Sequence, residues 1–304
     1  YTDGTTSTQT IPYSQWDGYG ESTETVVSDT PYTPPAPYST AKLSVSAPNV
    51  AYVLASFTPV GGSGAVIENL RAEYATAPVA SLTVNSSATT TFGGVIGGVA
   101  PLGSLATDAG AATVFAAGSV STVDDQVFGD AVRLKADSTF TSSNAGRIAF
   151  LSTVDSYDST YRSLTVNTAG STEFGDGGAD YVGNTNRLLS LATDANGTTT
   201  FWITPSSDAT PSVRTENDQV FADDVVMREH TVLTSTNSGI DFESYLDGAS
   251  TLTLDAANGD VYFRNTVGGT AALAGISLAA AKSVTAFAAI KLDGTPGAAR
   301  TPVV

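Results

Sequence analysis

The chain has 304 residues, no cysteine and one histidine, with 30 acidic against 13 basic residues and a formal net charge of −17. These counts exclude a disulfide scaffold and a cysteine zinc site. They also leave no clustered lysine and arginine for a nucleic-acid groove, and no chemistry that needs several histidines. Hydrophobic residues make up 41% of the chain, enough for a substantial core and unlike a disordered polyanion. Ser, Thr, Gly, Ala, Val and Asp dominate. Thr and Val favour strands, while Gly, Asn and Asp favour turns, so the expectation is an all-β fold. Absent cysteine, little lysine and much threonine suit an extracellular or cell-surface protein.

In chain order, residues 1–40 stand apart. Residues 1–41 hold five acids, five prolines and five tyrosines, and no lysine or arginine. Pro31, Pro34, Pro35 and Pro37 favour extended backbone and reject a central strand. The segment reads as an extended arm with a short strand at 23–27. Tyr13, Trp16, Tyr19, Val26, Val27, Tyr32 and Tyr38 would anchor it to a surface. The chain opens at Tyr1 without a methionine or a basic–apolar leader, as a cleaved mature form or a fragment would. Residues 41–80 read as an N-terminal cap or first coils, 81–293 as the repeat body, and 294–304 as a C-terminal tail. The most apolar stretch, 271–290, is Ala-rich and carries Lys282, which opposes membrane insertion. It reads as a final pair of buried strands or a capping element.

The body repeats. Ser81-Leu82-Thr83-Val84-Asn85 returns as Ser163-Leu164-Thr165-Val166-Asn167, and in altered form as Thr251-Leu252-Thr253-Leu254-Asp255. Leu102-Gly103-Ser104-Leu105-Ala106-Thr107-Asp108-Ala109 returns as Leu188-Leu189-Ser190-Leu191-Ala192-Thr193-Asp194-Ala195, with a weaker echo at 273–279. Asp125-Gln126-Val127-Phe128 returns as Asp218-Gln219-Val220-Phe221. The offsets are 82 and 88, 86 and 93, always in the same order. Within this long period lies a shorter plan, seen at 81–92, 104–115, 163–174, 190–201 and 251–263. Each has a small polar residue, a leucine, an alternating stretch, a turn, and a second strand ending in Phe. Alternation punctuated by Asn, Asp and Gly marks half-buried strands.

A unit of 20–30 residues with two or three short strands must stack on its neighbours to bury its apolar face. The expected architecture is a parallel β-solenoid (β-helix) preceded by the extended arm. Tandem immunoglobulin-like β-sandwiches are the alternative, because 82–93 residues also fit such a domain. The solenoid leads because it explains the inner repeat.

The phrases SLTVN…TTTFGG, LGSLATDAG, DQVFGDAVRL and GRIAFLSTVD, within about residues 75–270, resemble repeats of filamentous-haemagglutinin-like, adhesin-like surface proteins of bacteria. That resemblance implies a secreted β-helix serving adhesion or surface assembly, and it brings no catalytic residues.

Chemistry is sparse. Asp124/Asp125 and Asp223/Asp224 could in principle flank a glycosidic bond. Asp125 aligns with Asp218 and Asp130 with Asp223, however, and acids that recur in register read as turn or outer-face residues. His230, aligned with Asp137, reads as a surface or satisfied histidine. The glycines read as turns, because no phosphate-binding helix follows them. Calcium is the one cofactor the residue types admit, with Asp155, Asp158, Asp176, Asp180 and Asp208 as weak oxygen-ligand candidates. Asn85 and Asn196 open glycosylation sequons.

The sequence therefore points to a non-enzymatic, secreted structural subunit that assembles head-to-tail with copies of itself into a filament, sheath or surface layer. In this reading the arm donates a strand to a neighbour. No nucleic acid and no membrane insertion are expected. The alternatives are a monomeric adhesive rod that binds surface glycans and, less favoured, a polysaccharide-active β-helix enzyme.

Overall fold

A computed structural model describes residues 52–57, 65–67, 80–207 and 210–293, the first two segments in backbone only. The arm residues Tyr13 to Tyr38 and the calcium candidate Asp208 lie outside the described residues. Among the described residues there is no helix, and so none long and apolar enough to cross a membrane.

The strands are short and parallel. In chain order they begin with β1 (Tyr52–Phe57), β2 (Ala65–Ile67), β3 (Ser81–Ser86), β4 (Thr90–Phe92), β5 (Leu105–Thr107), β6 (Ala112–Phe115), β7 (Ser119–Thr122) and β8 (Gln126–Phe128). They continue as β9 (Ala131–Leu134), β10 (Ser138–Ser142), β11 (Ile148–Phe150), β12 (Val154–Ser156), β13 (Leu164–Asn167), β14 (Ser171–Phe174), β15 (Leu191–Thr193) and β16 (Thr198–Phe201). The last are β17 (Val213–Thr215), β18 (Gln219–Phe221), β19 (Asp224–Met227), β20 (Thr231–Ser235), β21 (Ile240–Phe242), β22 (Leu246–Asp247), β23 (Thr251–Phe263) and β24 (Gly275–Ala286).

They wind into a parallel β-solenoid with three walls. The first wall stacks β1, β3, β5, β8, β11, β14, β16, β19 and β22. The second runs β2, β4, β6, β9 and β12, then through bridges at Val182 and Leu188 to β17, β20 and the first half of β23. The third runs from β7 through β10, β13, β15, β18 and β21 to the second half of β23. The long strands β23 and β24 bend across the corner between the second and third walls, with a register shift between Ala256 and Asp260. About nine turns separate Leu82 from Ile290. Along the first wall from Leu82, each turn uses from 21 residues (Leu105 to Gln126) to 27 (Thr172 to Thr199), and along the second wall from 19 (Thr113 to Val132) to 31 (Val182 to Val213). At about 4.8 Å per rung the rod is roughly 43 Å long.

Residues two apart point the same way, so Leu82 and Val84, Val132 and Leu134, and Val225 and Met227 enter the core as the alternation requires. Ten phenylalanines from Phe92 to Phe263 form a continuous column of rings, neighbouring centroids lying 5.0–5.7 Å apart. Rings stacked within one wall alternate with edge-to-face crossings between walls, both favourable geometries for aromatic quadrupoles.

The sequence repeat does not match the turn. From β3 to β13, counting the bridged position at Ile96 and Leu102, the chain passes eleven wall positions. With three walls per turn, that is three full turns and two further walls. The next copy of the phrase, from β13 to β23, again spans eleven. Successive copies therefore rotate by one wall, and the phrase beginning Ser81, Ser163 or Thr251 lies on the first, third and second walls in turn. The phenylalanine column follows this rotation. Phe92 on the second wall, Phe174 on the first and Phe263 on the third are equivalent positions of the repeat.

One turn corner recurs with the rotation. Gly97, Gly183 and Gly268 have φ of 69°, 76° and 71°. A β-carbon on them would run into the carbonyl of Ser121, Arg214 or Lys291 on the next turn. Each is followed by a short projecting loop between two buried residues: Ile96 and Leu102, Val182 and Leu188, Val267 and Leu273.

Candidate functional site

The acidic residues were the first place to seek chemistry, and the structure gives most of them a mechanical task. At a corner, a carboxylate reaches along the rod axis and accepts a backbone N–H from an adjacent turn. Asp125 accepts from Arg147 at 2.8 Å and its repeat partner Asp218 from Gly239 at 3.0 Å. Asp108 holds Ser86 and its partner Asp194 holds Thr168. Asp155 holds Thr185 and Asn186, and Asp247, at the same position of the next repeat, holds Thr270 and Ala271. A carboxylate that satisfies an amide a loop leaves unpaired is worth more than a neutral acceptor.

The two pairs considered for glycosidic chemistry separate in the same way. Asp124 accepts from the Asn144 side chain and Asp125 from the Arg147 amide. Asp224 takes the Ser244 hydroxyl and the Tyr245 amide, while Asp223 is buried. Asp130 and Asp223 make one constellation twice. Asp130 accepts the Ala111 amide and the Thr113 hydroxyl, and Asp223 accepts the Gly197 amide and the Thr199 hydroxyl. Burial raises both pKa values, that of Asp223 to about 6.

His230 precedes β20 and pairs through Nδ1 with the Thr251 hydroxyl on the next turn. This is the place where Asp137 holds the Ser163 amide. Burial lowers the histidine's pKa. The buried amides of Gln126 and Gln219 brace the interior alike. Each donates to a threonine hydroxyl, Thr122 or Thr215, and to a carbonyl, that of Thr141 or Thr234.

Of the calcium candidates, Asp176 and Asp180 share one loop. Burial, then the Asp176 charge, raises the pKa of Asp180. Asp155 is committed to the Thr185–Asn186 loop, and Asp158 caps the Thr160 amide. No group of three or more potential metal ligands occurs among the described residues. Asn85 and Asn196 are both exposed, Asn196 at a turn with φ 78°.

A groove of about 400 Å³ runs along the corner between the second and third walls, lined among others by Asp218, Asn237, Asn258, Asp260, Tyr262 and Lys282. Its acids already have partners. Asp218 takes the Ser238 hydroxyl, Asp241 a bidentate Arg264, and Asp260 the Ser283 hydroxyl. Four basic side chains lie over aromatic rings: Lys135 on Tyr157, Arg187 on Tyr161, Arg228 on Trp202 and Arg264 on Tyr262.

Of the two expectations for 271–290, buried strands are corrected: the last turn covers β23, as a capping element would, but is itself half exposed. In β24, Leu278 pairs with Leu254 and Val284 with Val261. Beyond it, Ile290 pairs with Val267 and Leu292 with Leu273. The lower partners are at most 1% exposed, whereas Leu278, Val284, Ile290 and Leu292 are 42–48% exposed. The alternation there is that of a buried strand. Sequence reasoning missed the exposure because a strand's own pattern does not report whether another turn lies on top.

Compared with models of known families, with curated proteins and with solved structures, the chain matches none.

Proposed function

We propose that the protein is a secreted structural subunit, a stiff β-solenoid rod that joins copies of itself end to end in an extracellular filament, sheath or surface layer. The observation that carries this is the unbroken stack of parallel rungs, whose corner acids are spent on bonds between turns. An uncovered edge of parallel strands carries unpaired N–H and C=O groups and templates further pairing. Contacts of this head-to-tail kind give fibres when they do not close into a ring. Two features support a scaffold role rather than catalysis: the acids are spent on inter-turn bonds, and the repeat phrases resemble adhesin-like surface repeats. The Tyr- and Pro-rich arm then serves as the element that reaches a neighbour. Sedimentation and electron microscopy over a concentration series test the reading. Rods that lengthen in multiples of one subunit support it, and single rods at every concentration, with or without calcium, sink it.

A second reading, a glycan-binding adhesive rod, is favoured by the exposed Tyr157 and Tyr245 and by the groove beside Tyr262. It predicts saturable binding on a glycan array by a protein that stays monomeric.

A further inference from the structure

We infer that Asn196 is a self-modifying residue, converted in the folded chain to aspartate or isoaspartate by attack of the Gly197 amide nitrogen on the Asn196 side chain, with Asp223 as the base.

The chain contains two Asn-Gly pairs, Asn196-Gly197 and Asn258-Gly259. Packing imposes both glycines. A β-carbon would run into the Thr168 carbonyl at Gly197 and into the Ser238 carbonyl at Gly259. The backbone selects Asn196 separately. Its φ is 78°, and the equivalent residue of the preceding repeat is Gly110, with φ 107°. Asparagine is one of the few side chains that visit this region. An exposed carboxamide is thereby followed by a residue with no side chain to hinder its backbone nitrogen.

The two pairs differ in what holds them. The Asn258 carboxamide donates to the Thr236 carbonyl at 2.9 Å. Among the described residues nothing bonds the Asn196 side chain. The Gly197 N–H donates to Asp223 Oδ1 at 3.0 Å, and the Thr199 hydroxyl fixes the other carboxylate oxygen. A base must lie within hydrogen-bond reach of the proton it takes, and Asp223 does. A folded pKa of about 6 leaves it ionised at neutral pH. Among the described residues no carboxylate accepts from Gly259. The preceding repeat has the same cradle without the target. The Ala111 amide donates to Asp130 at 2.8 Å, but Gly110 offers no carboxamide.

The reaction balances without an outside reagent other than water. The Gly197 nitrogen bonds to Asn196 Cγ, and Asp223 takes the proton from that nitrogen and passes it to Nδ2. The Cγ–Nδ2 bond then breaks and ammonia leaves. Water opens the resulting succinimide to aspartate or isoaspartate. The product adds a negative charge to an exposed corner and removes the acceptor amide of the sequon that opens at Asn196.

The test holds the purified full chain at neutral pH and follows both Asn-Gly pairs by peptide mass spectrometry and an isoaspartate assay. In the folded chain Asn196 should convert about tenfold or more faster than Asn258. In urea that unfolds the chain the two rates should converge, because Asp223 no longer lies beside Gly197. Asp223→Asn keeps an acceptor but loses the base, and should slow Asn196 about tenfold or more while leaving the Asn258 rate unchanged. If Asn196 converts no faster than Asn258 in the folded chain, the bond to Asp223 shields the amide and the inference is overturned. If Asp223→Asn keeps the wild-type circular dichroism spectrum and the wild-type Asn196 rate, Asp223 is not the base and the inference is likewise overturned. Should that variant unfold, the folded-against-urea comparison on wild type decides.

Discussion

The Thr199 hydroxyl donates to the Asp223 carboxylate at 3.0 Å, and the Asp223 side chain is sealed from water at a corner between turns. Thr113 and Asp130 make the same bond at the equivalent position of the preceding repeat, one wall away. Burial raises the pKa of both aspartates, and of Asp155 and Asp180, above the ordinary 3.8. In each case the folded state disfavours the charged form.

Stability from these groups is therefore fully present below pH 3.8 and is lost as pH rises through the folded pKa, which for Asp223 is about 6. The shift at Asp223 corresponds to about 3 kcal/mol at roughly 1.4 kcal/mol per unit. His230 acts oppositely, since burial lowers its pKa and its contribution is lost on acidification. Asp158, whose pKa the Thr160 amide lowers, acts with the histidine, so the prediction is a difference between two proteins: relative to Asp223→Asn, wild type should gain melting temperature as pH falls from 7 to 4. A melting series on both from pH 3.5 to 7.5 checks this, and a difference that does not change with pH would contradict it.

Phe174 lies between Phe150 and Phe201, its ring centroid 5.5 and 5.6 Å from theirs, and is fully buried. Phe174→Ala removes both stacking contacts and leaves a void that rigid rungs above and below cannot fill. The expected loss is about 3–5 kcal/mol. Denaturant unfolding of the variant checks it, and a loss below about 1 kcal/mol would mean that the column collapses around the hole.

Glycines at corners should differ by their surroundings. Gly183 has φ 76° and faces the Arg214 carbonyl, whereas Gly110 has φ 107° with nothing within 4 Å of an added β-carbon. Gly110→Ala meets only backbone strain, about 1 kcal/mol or slightly more. Gly183→Ala adds a collision with backbone and should cost at least twice as much. Equal melting temperatures for the two variants would contradict this account of the loop.

Exposed ion pairs should matter little. Arg264 binds Asp241 in a bidentate pair on the outer surface. Arg264→Gln should leave the melting temperature close to that of wild type, in contrast to the large loss expected for Phe174→Ala. Deleting residues 1–40 should likewise leave the solenoid's melting intact but weaken assembly, and assembly unchanged by the truncation would remove the arm from the mechanism.

The sequence made the strands legible because Leu82/Val84 and Leu252/Leu254 alternate cleanly with polar neighbours. It also revealed that Asp125 and Asp218 share one role. It hid the rotation of the repeat. Residues 104–115 and 163–174 read alike, yet the first pair of strands occupies the first and second walls and the second pair the third and first. Wall identity depends on how many strands intervene, and the bridged positions at Ile96 and Val182 are too short to announce themselves as strands. The half exposure of Leu278 was hidden for a different reason: Leu278 and Leu254 stand in the same local pattern, and a strand's own alternation does not report how far it is covered.

End-to-end assembly is tested most directly by X-ray diffraction from aligned fibres of the full chain. In the rod the strands run across the axis and the rungs stack along it, so the account predicts a reflection at about 4.8 Å parallel to the fibre axis. Fibres with that reflection perpendicular to the axis would show that rods associate side by side, and would contradict the account.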